Sequence, residues 1–124
     1  MIIGTGIDII EVDRVAHRAG KDNGFKEFVF SPHEIQYCDS KAAPFQHYAA
    51  RFAAKEAFLK AIGTGWGNGL SLNEIETFNE ANGRPSLRII GQTKEVLAHL
   101  GIRSIHLSLS HLKTVATAVV ILES

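Results

Sequence analysis

Residues 44–69 read PFQHYAARFAAKEAFLKAIGTGWGNG, and this stretch sets the architecture. Proline is tolerated at the first helical position, where no N–H partner is lost, and alanine, leucine and lysine are strong helix formers. Tyr48, Phe52, Leu59 and Ile62 form an apolar stripe, so a helix is expected from after Pro44 to about Ile62. Gly63 ends it, and the repeated glycines over 63–69 permit positive φ angles and close approach of backbone to a ligand. Glu56 and Lys60 stand four apart, side by side, one turn before that loop. Such a pair is commonly a surface salt bridge worth about 0.2–0.5 kcal/mol. Next to free backbone amides, which can form an anion-binding nest, the carboxylate and ammonium can instead face one ligand, and phosphate chemistry uses this set. It is not a Walker loop, whose glycines precede a helix and end in Gly-Lys followed by Ser or Thr.

Working outward, residues 2–10 are rich in β-branched side chains and read as a strand, with Ile3, Thr5, Ile7 and Ile9 on one face and Gly4, Gly6 and Asp8 on the other. An aspartate in an isoleucine-rich strand is disfavoured, and costly to bury unless something satisfies it. The bare Gly4 and Gly6 are read as leaving room beside it for an ion or a substrate group. Asp13 precedes a short helix over 14–19, stopped by Gly20, and Arg14, Arg18 and Lys21 follow one another at spacings of four and three along one face. Ser31-Pro32-His33-Glu34 has the form of a capping box opening a helix to about Asp39.

Beyond the glycine loop, strands over 70–78 and 86–90 flank the turn-forming residues 79–85 as a hairpin. A short helix over 93–100 closes at Gly101, and strands over 105–110 and 115–122 pair. Alternation puts His106, Ser108 and Ser110 on one strand face with His111 at its end, which suits an exposed edge. No acidic residue nearby would orient a Ser-His nucleophile. Strands interrupted by helices without regular βαβ alternation give a single α+β domain over 1–124. Its mainly antiparallel sheet packs against one long and several short helices.

Apolar residues make up 45% and charged residues 21% of the chain, an ordinary globular balance. Thirteen basic residues offset thirteen acidic ones, which argues against a general nucleic-acid binder, so any polyanion is met locally. The single cysteine, Cys38, has no disulfide partner within the chain, and no Cys/His spacing suggests zinc. Asp8 interrupts the N-terminal apolar run before a signal core or membrane span forms, so a soluble, cytoplasmic protein is expected.

Three motifs stand in order: Gly6-Ile7-Asp8, the RFAAKEA run over 51–57 leading to Gly63-Thr64-Gly65, and Ser108-Leu109-Ser110-His111. Together they closely resemble the holo-acyl-carrier-protein synthases, short members of the 4′-phosphopantetheinyl transferases, over essentially the whole chain. The resemblance implies that Asp8 and Glu56 bind Mg²⁺, and that the metal grips the diphosphate of coenzyme A. A serine of the acyl-carrier protein then attacks the β-phosphate, phosphopantetheine is transferred, and 3′,5′-ADP leaves, in support of fatty-acid biosynthesis. Two carboxylates suffice for magnesium, which takes its other ligands from water and phosphate. The resemblance further implies that Lys60 neutralises phosphate charge and that Gly63, Thr64 and Gly65 meet the cofactor. Ser110 and His111 would lie near its nucleotide end, with Arg51 and Pro85 as further contacts. Glu56, directly or through a metal-bound water, would accept the serine proton.

The family also implies a homotrimer with each site shared between neighbours, and an acidic carrier protein. Arg14, Arg18 and Lys21 would meet that carrier, with Phe25 either an apolar anchor or a core residue. After His111 the family often carries an acidic residue and an aromatic, whereas this chain has Thr114 and Val115. A Nudix-type diphosphate hydrolase would need several glutamates on the central helix, where only Glu56 is present. A non-catalytic nucleotide- or protein-binding module would have no need for Asp8 in a strand.

Overall fold

The computed structural model describes all 124 residues. In chain order the elements are β1 (Ile2–Glu11), α1 (Val12–Ala19), α2 (Phe25–Val29), α3 (Pro32–Asp39), α4 (Pro44–Ile62), β2 (Ile75–Asn79), β3 (Pro85–Ile89), α5 (Gly91–Leu97), β4 (Ser104–His111) and β5 (Val115–Glu123). The strands form an antiparallel sheet in the order β1-β5-β4 and a separate β2-β3 hairpin, so the expected α+β class holds.

The helix α4 is the axis of the molecule. Its alanines are buried along with Tyr48, Phe52, Phe58 and Leu59, so it is enclosed on nearly every side rather than along the one apolar stripe expected. Alanine makes this enclosure possible, because a methyl group lets neighbouring backbones come close. The sheet takes up that closeness with glycine: a Cβ on Gly6 would lie 1.9 Å from the Ala57 carbonyl oxygen, and one on Gly4 would lie 2.0 Å from that of Ala61. The sequence reading of these glycines is therefore corrected. Their bare side is filled by the backbone of α4 and is not open space for an ion. Gly6→Ala should cost about 2–3 kcal/mol by forcing strand and helix apart, read as a lower urea midpoint. An unchanged midpoint would show the contact to be loose.

The register sets two faces. Gly4, Gly6 and Asp8 lie with Ala116, Ala118, Val120, Leu122 and Leu107 on the face toward α4. The outer face carries Ile7 and Ile9, 64% and 69% exposed, and Val119, then His106, Ser108 and Ser110 on the edge strand β4. His106 there pairs with Glu123, an exposed edge contact rather than part of a nucleophile system.

Several boundaries differ from expectation. Five-residue α2 follows Gly24, which adopts a left-handed φ of 81° and carries no side-chain cap, so no start signal marks it. The helix α1 starts at Val12, placing Asp13 in its first turn, where it complements the helix dipole rather than capping. It ends at Ala19, so Lys21 lies past the helix and donates to His17 Nε2 at 3.1 Å. The strand expected from residue 70 begins only at Ile75, after a 3₁₀ turn over Leu72–Glu74. The helix expected over 93–100 runs from Gly91 to Leu97 and then tightens into a 3₁₀ turn, Ala98–Leu100, closed by Gly101.

The capping box at Ser31 forms as expected and reaches further than a cap. Glu34 Oε1 accepts from the Ser31 N–H at 2.9 Å and from Lys55 Nζ at 2.7 Å, while Oε2 accepts from the Thr77 N–H at 2.9 Å. Lys55 Nζ donates also to the carbonyls of Leu72 and Ile75, so all three ammonium protons are used. Both side chains are fully buried. Burial pulls the Lys55 ammonium below the ordinary lysine range, with Glu34 opposing that pull. This pair ties α3 and α4 to β2, and its lysine takes one carbonyl from the 3₁₀ turn, Leu72, and one from the first residue of β2, Ile75.

Candidate functional site

At the edge of the inner sheet face, Asp8 meets the C-terminal half of α4. Lys60 Nζ donates to Asp8 Oδ1 at 3.1 Å and to the Ile7 carbonyl at 2.9 Å. The expected pairing of Lys60 with Glu56 along the helix does not form. Glu56 Oε1 instead accepts from Trp66 Nε1 at 2.8 Å. Asp8, Glu56 and Trp66 line a cleft of about 250 Å³ together with Arg14, Arg18 and Phe25.

Burial pushes the Glu56 carboxyl up from its ordinary value, and the neighbouring Asp8 charge adds to that, while the Trp66 N–H and Lys60 pull the other way. No third acid, histidine or cysteine joins them in a metal-binding group. Two hard oxygen donors with mutual repulsion and an open cleft fit a hard divalent cation that draws its remaining ligands from water and a bound substrate.

The glycine loop enters this site from α4. Gly63 takes a left-handed φ of 77°, and the Thr64 N–H turns back to the Leu59 carbonyl at 3.0 Å. Gly67, Asn68 and Gly69 are also left-handed, whereas Gly65 is not. A Cβ at Gly63 or Gly65 would meet nothing, so backbone is accessible at both.

A model of the 4′-phosphopantetheinyl transferase superfamily matches residues 4–120. The chain belongs to this superfamily. The holo-[acyl-carrier-protein] synthase of Syntrophus aciditrophicus is 51% identical over 124 residues, covering 99% of this chain and 97% of that one. The crystal structure of the corresponding synthase from Neisseria meningitidis superposes with a TM-score of 0.90 at 31% identity and covers 100% of both chains. That of a Bacillus anthracis synthase, in complex with CoA (3′,5′-ADP), gives 0.82 at 37% identity and covers 100% and 98%. The resemblance read from the three motifs is therefore correct.

In this phosphopantetheinyl transferase the residues singled out from sequence fall into two groups. Asp8, Glu56, Arg14, Arg18 and Phe25 line the cleft, Lys60 adjoins it through its bond to Asp8, and the 63–65 loop leads from α4 to Trp66 on the cleft wall. Phe25 is partly buried and stacks on Phe52, ring centres 6.2 Å apart, so it is at once a core residue and a lining residue. Arg51, Pro85 and His111 gather elsewhere, toward the N-terminal half of α4. The Arg51 guanidinium lies 4.0 Å over the Tyr37 ring and donates to Asn79 Oδ1 at 3.0 Å, and Asn79 pairs with Pro85 across the hairpin. His111, next to Ser110 at the end of β4, lies edge-on to His47 with ring centres 5.5 Å apart. Burial lowers the His47 pKa, aided by the charges of Arg51, His111 and Lys41. The sequence does not mark Tyr37, Lys41, His47 or Trp66 as site residues, and it offers Phe52 only as part of the apolar stripe. Only Trp66, an aromatic set among glycines, carried a local signal.

Proposed function

We propose that this chain transfers the 4′-phosphopantetheine group of coenzyme A to a serine of an apo-acyl-carrier protein. The reaction is Mg²⁺-dependent, releases 3′,5′-ADP and serves fatty-acid biosynthesis in the cytoplasm. The observation that carries this reading is that Asp8 and Glu56 line one cleft, with Lys60 bonded to Asp8 and an accessible glycine backbone following at the end of the same helix. The full-length similarity to holo-[acyl-carrier-protein] synthases supports it. Asp8 and Glu56 would hold the metal, which when bound neutralises diphosphate charge and polarises the β-phosphate. Lys60, whose side chain is 57% exposed, would meet a phosphate oxygen, and its exposure supports that role. The serine hydroxyl attacks phosphorus, the bond to 3′,5′-ADP breaks, and Glu56, directly or through water, takes the hydroxyl proton.

The same reading includes a homotrimer with shared sites. The Ile7, Ile9 and Val119 face is apolar and uncovered, and the Arg51, Pro85 and His111 group stands apart from the cleft on the same chain. A neighbouring copy would let one coenzyme A touch both groups. No helix is long and apolar enough to cross a membrane.

The test is direct: with Mg²⁺ and coenzyme A, the chain should make an apo carrier protein heavier by one phosphopantetheine group. Breakdown of coenzyme A with no gain in carrier mass would sink the proposal. Arg14 and Arg18 line the same cleft as Asp8 and Glu56, which suits an acidic carrier delivering its serine. Arg14→Glu should therefore raise the KM for carrier by about tenfold or more while changing that for coenzyme A far less. Equal increases would remove Arg14 from carrier recognition.

A further inference from the structure

The contact between Trp66 and Glu56 is not explained by charge neutralisation or carrier docking. Trp66 is 49% exposed, yet its one polar atom points inward to Glu56 Oε1 at 2.8 Å. The ring neighbours two others, with centres 6.3 Å from Phe28 and 6.3 Å from Phe52, and Phe52 lies one helical turn before Glu56. The loop carrying it is itself built. Asn68 Nδ2 donates across Trp66 to Thr64 Oγ1 at 2.9 Å, and the left-handed run Gly67, Asn68, Gly69 turns the chain back toward Leu70.

A glutamate on a helix beside an open cleft has several torsions free. A donor held by packing on two rings selects one arrangement, because it engages a single carboxylate oxygen and leaves Oε2 without a hydrogen bond. We propose that Trp66 is a positioning residue for metal capture, holding Glu56 by the indole N–H so that its free oxygen is available to the cation shared with Asp8. This inference rests on the proposed metal role of Asp8 and Glu56. Hydrogen bonds to a ligating side chain fix its orientation, and their loss typically weakens metal binding 10–100-fold.

Trp66 is the chain's single tryptophan, so growth with 3-benzothienylalanine, which replaces the indole N–H by sulfur in the same ring shape, alters one site. Trp66→Phe removes the donor by a second route and keeps an aromatic ring. Mn²⁺ binding in the presence of coenzyme A and without carrier, followed by electron paramagnetic resonance and corrected for Mn²⁺ held by coenzyme A alone, should weaken by about 10–100-fold in both proteins. The half-saturating metal concentration for transfer should rise by the same factor, and added metal should restore the rate. Unchanged Mn²⁺ affinity in the sulfur isostere overturns the inference, as does a slower rate that added metal does not restore. No Mn²⁺ binding by the unaltered chain, with no gain in carrier mass, would overturn the reading of the whole site instead.

Discussion

Lys55→Met is expected to cost about 3–5 kcal/mol of folding stability, a large part of the 5–15 kcal/mol typical of a domain. The ammonium is fully buried and shares its three protons among Glu34 and the carbonyls of Leu72 and Ile75. Methionine matches the length of the lysine stem, so packing is nearly kept and the loss is electrostatic. What remains is a buried Glu34 carboxylate holding only backbone N–H donors from Ser31 and Thr77, beside two carbonyls without their donor. Urea unfolding followed by circular dichroism measures the change. Adding Glu34→Gln to Lys55→Met should recover part of it, because the uncompensated charge is then removed as well. A single variant with an unaltered midpoint would show that the ion pair contributes nothing.

Glu56→Gln, one residue along the same helix, should do the opposite. Transfer should fall by about 100-fold or more, since a metal ligand and proton acceptor are both lost, while folding stability from urea unfolding changes by less than about 0.5 kcal/mol. Glutamine still presents an oxygen to the Trp66 N–H, so the loop contact survives. It also removes the charge that Asp8 repels. Fold integrity and activity are thus read separately, by unfolding and by carrier mass. Substantial transfer by Glu56→Gln would take Glu56 out of the metal site.

Lys55 and Glu56 show how far a linear reading goes. Both sit in the RFAAKEA run, and both are polar residues in an alanine-rich helix. One becomes a fully buried charge and the other lines an open cleft. Lys60 makes the same point: helical spacing offers it Glu56, yet its partner is Asp8, brought in by the packing of β1 on α4. Gly4 and Gly6 do flank Asp8, but α4 backbone fills their bare side, because whether a missing side chain leaves a hole or admits a backbone depends on what packs there.

By itself the sequence determined the long helix and its Gly63 stop, the Ser31 capping box, the β2-β3 and β4-β5 pairings, and the superfamily. These rest on proline, glycine, caps and periodicity, whose effects are spent within a turn of helix or a few residues of strand, and on motifs recognisable as strings. Only the tertiary structure decided that Lys60 reaches Asp8, that Lys55 is buried against Glu34, that Trp66 holds Glu56, and that Arg51, Pro85 and His111 stand apart from the cleft. Each of those depends on which residues, tens of positions apart, the close approach of sheet and helix sets side by side. The energy that chooses among such partners, burial weighed against charge, exists only once the chain has folded.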